Sequence, residues 1–121
     1  MDTIKLTSEQ IKEFGEYIAD YVADSDNFYV DRYGYFDIDT LGDEGYVFEG
    51  LDITFKGNGR FNIEHNECSG EFWGTPCTEE WDSIEDLASF YLEEICICNE
   101  DGDVYEISKD DYTAICEIAE K

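Results

Sequence analysis

The residues best suited by type to do chemistry are one histidine and five cysteines. His65, Cys68 and Cys77 fall within thirteen residues, and Cys96-x-Cys98 follows. Imidazole nitrogen and thiolate sulfur are the ligands zinc prefers. Alternate residues of a strand share a face, so Cys96 and Cys98 would present both sulfurs together, and a composite site with Cys68 is geometrically conceivable. Structural zinc sites, however, usually space paired cysteines by two to four residues. Small buried cysteines that act as core hydrophobes are the competing reading and the one adopted here; no metal and no cofactor is expected. Calcium fares no better. Aligning Gly102 with the glycine of an EF-hand loop puts Ile97 where an oxygen ligand must stand and Ser108 where the bidentate glutamate must, and aligning Gly42 puts Phe48 at that last position.

Catalysis has little to work with. His65 stands between Glu64 and Glu67 with no Ser-His or Cys-His arrangement readable from spacing. Gly57-Asn58-Gly59 lacks the spacing and the lysine-bearing helix of a phosphate loop. Among 32 Asp and Glu, carboxylate pairs of the glycosidase kind arise by chance. No catalytic residue is nominated, and an enzyme is not expected.

What stands out is charge. Thirty-two acidic against seven basic residues give −25 over 121 residues. Binding to nucleic acid depends on Lys and Arg, so direct nucleic-acid contact is excluded as a function class, as is attraction to an anionic membrane. The imbalance is uneven: residues 1–60 hold fourteen acids and five bases, residues 61–121 eighteen and two. Glu9, Glu13, Glu16, Asp20 and Asp24 fall within an arc of about 80° at helical spacing. Like charges four residues apart destabilise a helix, and only Lys12 offsets them nearby. An excess kept at a cost to stability suggests use. Further acids crowd the second half, among them Glu79, Glu80, Asp82, Glu85 and Asp86. Trp73, in Phe72-Trp73-Gly74-Thr75-Pro76, is the best candidate for an aromatic anchor among them; a lid packed over the sheet end is the alternative.

The elements that must carry these residues follow from periodicity. Thr7 and Gln10 make a capping box, and Ile11, Phe14, Ile18, Tyr21 and Val22 repeat at helical spacing, predicting a helix over 8–24. Gly15 within it implies close packing. Phe28–Val30 and Tyr35–Ile38 read as strands, Gly42–Gly45 as a turn, and Tyr46–Lys56 and Arg60–Cys68 as a hairpin turning at Gly57-Asn58-Gly59. Residues 69–80 read as a loop. Residues 83–93 fit a helix capped by Asp82 or a bulged strand, with helix preferred before Glu93 and strand after it. Val104–Ile107 closes a second hairpin across Asn99–Asp103, and Ser108 caps a last helix that buries Tyr112, Ile115, Cys116 and Ala119. The sum is one α+β domain over 1–121: an antiparallel sheet with an N-terminal and a C-terminal helix. No run of about 18 apolar residues exists to span a membrane, and Met1–Leu6 has no apolar core of a signal peptide. An odd number of cysteines without an export signal points to reduced thiols in the cytoplasm.

In size, acidity, Tyr/Phe-rich strands and its Asn-Glu-Asp-Gly-Asp hairpin, the chain resembles small acidic proteins of phages and mobile elements. Some of these are DNA mimics of anti-defence type. The resemblance covers general character and implies a non-enzymatic inhibitor whose partner is a basic nucleic-acid-binding protein; the charge pattern, not the resemblance, assigns the carboxylates named above to filling its groove. The alternative is an assembly module, a homodimer that is acidic for solubility.

Overall fold

The computed structural model describes residues 2–43 and 45–120, with Asp2 and Phe72 described by their backbone alone. Glu44 of the expected turn and the side chain of Phe72 in the expected anchor thus lie outside the described residues. The chain runs β1 (Asp2–Ile4), α1 (Ser8–Ala23), β2 (Tyr35–Asp39), β3 (Tyr46–Phe48), β4 (Leu51–Phe72), β5 (Thr75–Asn99), β6 (Val104–Ile107) and α2 (Lys109–Ala119). This is the expected α+β class, a mostly antiparallel sheet with a helix near each end of the chain. The sheet order is β1-β6-β5-β4-β2, with β3 on the same edge of β4 as β2, and the β1–β6 pair is parallel.

Local chemistry sets the helix ends. Thr7 Oγ1 accepts from the Gln10 amide at 3.1 Å while Gln10 Oε1 accepts from the Thr7 amide at 2.9 Å, closing the capping box. Ser108 Oγ accepts from the Asp111 amide at 3.2 Å and starts α2. Asp24 lies one residue beyond α1, not within it; its carboxylate accepts from the Asp26 amide and opens a 3-10 turn over Ser25–Asn27. Phe28–Val30 follows that turn as irregular chain, not a strand.

Both helices contact each other and lie on one face of the sheet. Gly15 is the close-approach point: a Cβ there would sit 2.6 Å from Ile118 of α2. Phe14 meets Tyr46 and Phe48 edge-on, and Phe55 lies edge-on to Tyr17 and Tyr21. Asp111, itself buried, accepts from the Leu6 amide at 3.0 Å and ties the start of α2 to the chain entering α1. Tyr112 donates to the carbonyls of Leu92 and Glu93 at 3.0 and 2.9 Å, and burial pushes its hydroxyl up to about 12.

The sequence expectation is overturned along β4 and β5. Gly57-Asn58-Gly59 makes no turn; it runs through the middle of β4, paired to β2 on one side and β5 on the other. These glycines supply space. A Cβ on Gly57 would stand 2.7 Å from the Phe90 ring, and one on Gly59 2.6 Å from the Phe36 ring. The turns lie at Glu49-Gly50 and Trp73-Gly74, where both residues of each two-residue loop have positive φ, the type I′ pattern. Residues 69–80 are therefore the end of a long hairpin, not a loop. Residues 83–93 are strand throughout. Register shifts near Gly57 and between Arg60 and Ile63 break the twofold alternation, so Leu87, Phe90 and Leu92 are buried at steps of three and two, a spacing that imitates a helical face.

Candidate acidic binding surface

The long hairpin has two halves. Up to Phe61 on β4, and from Leu87 on β5, it belongs to the sheet and buries one face under the helices. Beyond that point, Asn62–Phe72 and Thr75–Asp86 pair only with each other and form a ribbon arm about 30 Å long at ~3.3 Å per residue. Apart from half-buried Ile63, Asn66 and Ser83, every described side chain of the arm is exposed. Residues 62–86 contain eight acids (Glu64, Glu67, Glu71, Glu79, Glu80, Asp82, Glu85 and Asp86) and no Lys or Arg.

Each nominated residue of the second half is on this arm. Trp73 occupies the tip, 89% exposed and in the left-handed region at φ 55°. Glu79 faces Cys68, Glu80 faces Glu67 and Asp82 faces His65 across the two strands; Glu85 and Asp86 sit at the irregular base. Because neighbours in a strand alternate, the acids cover both faces. Asp82 and His65 form a 2.9 Å contact, and that hydrogen bond, aided by the charges of Asp82, Glu80 and Glu67, raises the histidine's affinity for a proton. Glu85 hydrogen-bonds Glu64, which lifts the Glu85 carboxyl above its ordinary range. Asp86 accepts from Asn62 at 3.2 Å. The sequence reading missed Glu64, Glu67 and Glu71, which fill the facing strand. Their signal was continued strand alternation on both sides of Trp73-Gly74.

The helical stripe is a separate surface. Glu9, Glu16 and Asp20 are exposed along α1, and Glu13 is half-buried and accepts from the Tyr46 hydroxyl at 3.2 Å. At the arm base Ala19 and Ala23 of α1 share a cleft with Asp86 and Leu87; Glu79, Glu80 and Trp73 lie further out along the hairpin. Lys12 is the one Lys or Arg on α1, and the arm has none. On the sheet face opposite the helices, Lys56 lies 3.9 Å from Glu93, and the Arg60 guanidinium lies 5.7 Å from the Tyr35 ring centre.

The cysteines do not converge. Cys96 faces Thr54 and Cys98 faces Asp52 in the body, whereas Cys68 stands on the arm opposite Glu79. From Thr54 to Cys68 the strand advances about 46 Å, so a composite site of Cys68 with Cys96 and Cys98 does not form. Among the described residues all five thiols are free, and no cluster of three or more His, Cys, Asp or Glu is arranged to hold a metal. No described helix is long and apolar enough to cross a membrane.

Fold and surface together define an α+β domain bearing an acidic ribbon arm. Compared with known proteins, the chain matches no family model, no curated protein and no solved structure.

Proposed function

We propose that this protein is a non-enzymatic acidic binding protein that occupies a basic, nucleic-acid-binding groove of another protein and so acts as a DNA mimic. The observation that carries the reading is the arm: eight carboxylates on a ribbon projecting from the body, with no Lys or Arg to neutralise them. Eight charges over ~30 Å is about one per 4 Å, close to the one per 3.4 Å of a single DNA strand and under half the density of a duplex. The α1 stripe adds a second line of charge at a similar spacing. A ribbon is also narrow enough to enter a groove, and Trp73 at its tip offers an aromatic anchor. Action in the cytoplasm, where the free thiols stay reduced, belongs to the same proposal.

The arm's composition weighs against the assembly reading. Its outer strand edges could template pairing with a second copy, but carboxylates guard them and would be brought together by such pairing. The test is capture from host lysate on immobilised protein, beside a variant carrying Glu79→Gln, Glu80→Gln, Asp82→Asn, Glu85→Gln and Asp86→Asn. Nucleic-acid-binding proteins should be retained at low salt, released at high salt, displaced by added duplex DNA and lost with the variant. Capture indifferent to salt and DNA, or recovery of further copies of the chain alone, would remove the mimic reading.

A further inference from the structure

A groove of about 340 Å³ runs between α1 and β3, lined by Glu13, Glu16, Tyr17, Asp20, Tyr21 and Tyr46. Its composition is two-sided. Glu13, Glu16 and Asp20 advance along one helix by three and four residues, which sets their backbones about 4.5 and 6 Å apart along the axis. Against them stands an aromatic wall: Tyr17 stacks on Tyr46 with ring centres 4.8 Å apart and planes 14° from parallel, and Tyr21 continues it 6.1 Å from Tyr17. The wall is fixed from below, because Phe55 buttresses Tyr17 and Tyr21 edge-on and Phe14 buttresses Tyr46. Glu13 is fixed as well, by the bond it accepts from Tyr46. Burial, with neighbouring negative charge, keeps the Tyr17 and Tyr46 hydroxyls protonated, so the groove's charge comes from its carboxylates. None of the three carboxylates is in an ion pair with a described Lys or Arg, and Lys12, one turn before Glu16, is not among the lining residues.

One ligand chemistry satisfies both sides. A guanidinium is planar and weakly hydrated; it stacks on aromatic faces through its surface and forks to carboxylates through its edge. We infer that the groove between α1 and β3 is a binding site for an arginine side chain presented by the partner. The inference deepens the reading above and rests on it for the nature of the partner, but the ligand chemistry is testable without one.

The probe is Nα-acetyl-arginine amide, titrated into isotopically labelled protein at low salt, with the uncharged isostere Nα-acetyl-citrulline amide as the control. Ring resonances of Tyr17, Tyr21 and Tyr46, and amides from Glu13 to Tyr21, should move saturably with the arginine compound. The citrulline compound should bind about tenfold more weakly, an effect of the size expected of one cation held by rings and carboxylates. Glu16→Gln with Asp20→Asn, both exposed positions, should cost a similar factor while core resonances stay in place; Tyr17→Phe, which keeps the ring, should retain binding. Non-saturating shifts shared by all carboxylate-bearing segments, equal binding of citrulline, or undiminished binding by the double variant would each overturn the site. DNA-sensitive capture from lysate would survive that failure, whereas saturable arginine binding without such capture would leave the groove standing and remove only the DNA-mimic reading.

Discussion

The inner and outer halves of the β4–β5 hairpin are one continuous ladder built by opposite means. The inner half is held by burial: Phe55, Phe61, Phe90, Leu92 and Ile97 are all at most 3% exposed. Its backbone exceptions are answered as well, since the Leu92 amide, beside the register shift, donates to Glu120 at 2.9 Å. The outer half has almost nothing to bury. Ile63 against Ile84 is its one pair of aliphatic side chains, and Glu67 stands directly across from Glu80. An isolated two-stranded hairpin is marginally stable in water, and like charges directly opposite weaken it further. The arm is thus positioned by the body and shaped for something other than stability. A segment so charged and so lacking in core contacts is stabilised by whatever neutralises it, as a ligand stabilises the state it binds.

The largest effect that would sharpen the contrast is a pair of deletions of aromatic bulk. Phe90→Ala empties a position that the rings of Phe36 and Phe55 pack against, and should cost about 3–5 kcal/mol of global stability. Trp81→Ala on the arm should leave the free energy of denaturant unfolding within about 0.5 kcal/mol of the parent. A comparable loss from Trp81→Ala would mean that the arm is part of the cooperative core, and the two halves would no longer be different in kind.

Next in size is a glycine comparison. Gly59→Ala would push a methyl into Ser89 O at 2.3 Å and the Phe36 ring at 2.6 Å, and overpacking of this sort costs about 1–3 kcal/mol. Gly70→Ala, with nothing within 4 Å of the added carbon, should be neutral or slightly stabilising, because strands disfavour glycine. Urea midpoints of the two variants measured side by side decide it. Equal effects would contradict the difference in packing.

These glycines also mark where the sequence was legible and where it was not. The helices were readable because their signals are local: the Thr7–Gln10 box and the Ser108 cap lie within one turn of the residues they organise. The turn at Asn99–Asp103 was readable for the same reason, with Asn99 Oδ1 accepting from the amides of Asp101 and Asp103. Gly57-Asn58-Gly59 misled because a glycine chosen for space, to admit Phe90 and Phe36 from elements more than twenty residues away, is spelled like one chosen for a turn. Trp73-Gly74 was missed for the converse reason, since tryptophan is a rare occupant of a left-handed turn position. The acids were legible as a list but not as a surface. Their spacing fixes the stripe on α1, whereas their gathering on the arm depends on a pairing register that no local pattern encodes.

The smallest effect concerns protons, and it separates the halves by direction. His65 and Glu85 both hold protons more tightly in the folded arm than outside it, through Asp82 and Glu64 respectively. A folded value raised above the unfolded one contributes stability that is complete below the unfolded value and disappears as pH rises through the folded one. For His65 the contribution is therefore complete below 6.5 and lost as pH rises through its higher folded value; for Glu85 it is complete below 4.5 and lost as pH rises through its own raised value. Acidification from about pH 8 to about pH 4 should thus tighten the arm, against the usual expectation that acid loosens a protein rich in carboxylates. Amide exchange of residues 63–85, normalised for the intrinsic pH dependence of exchange, should show greater protection at the lower pH, with the amides of Phe55 and Ile97 in the body as the internal reference. His65→Asn should abolish the step nearer neutrality and leave the one at lower pH. Arm protection that falls on acidification, or that rises equally in the His65→Asn variant near neutrality, would show that these cross-strand pairs do not hold the ribbon closed.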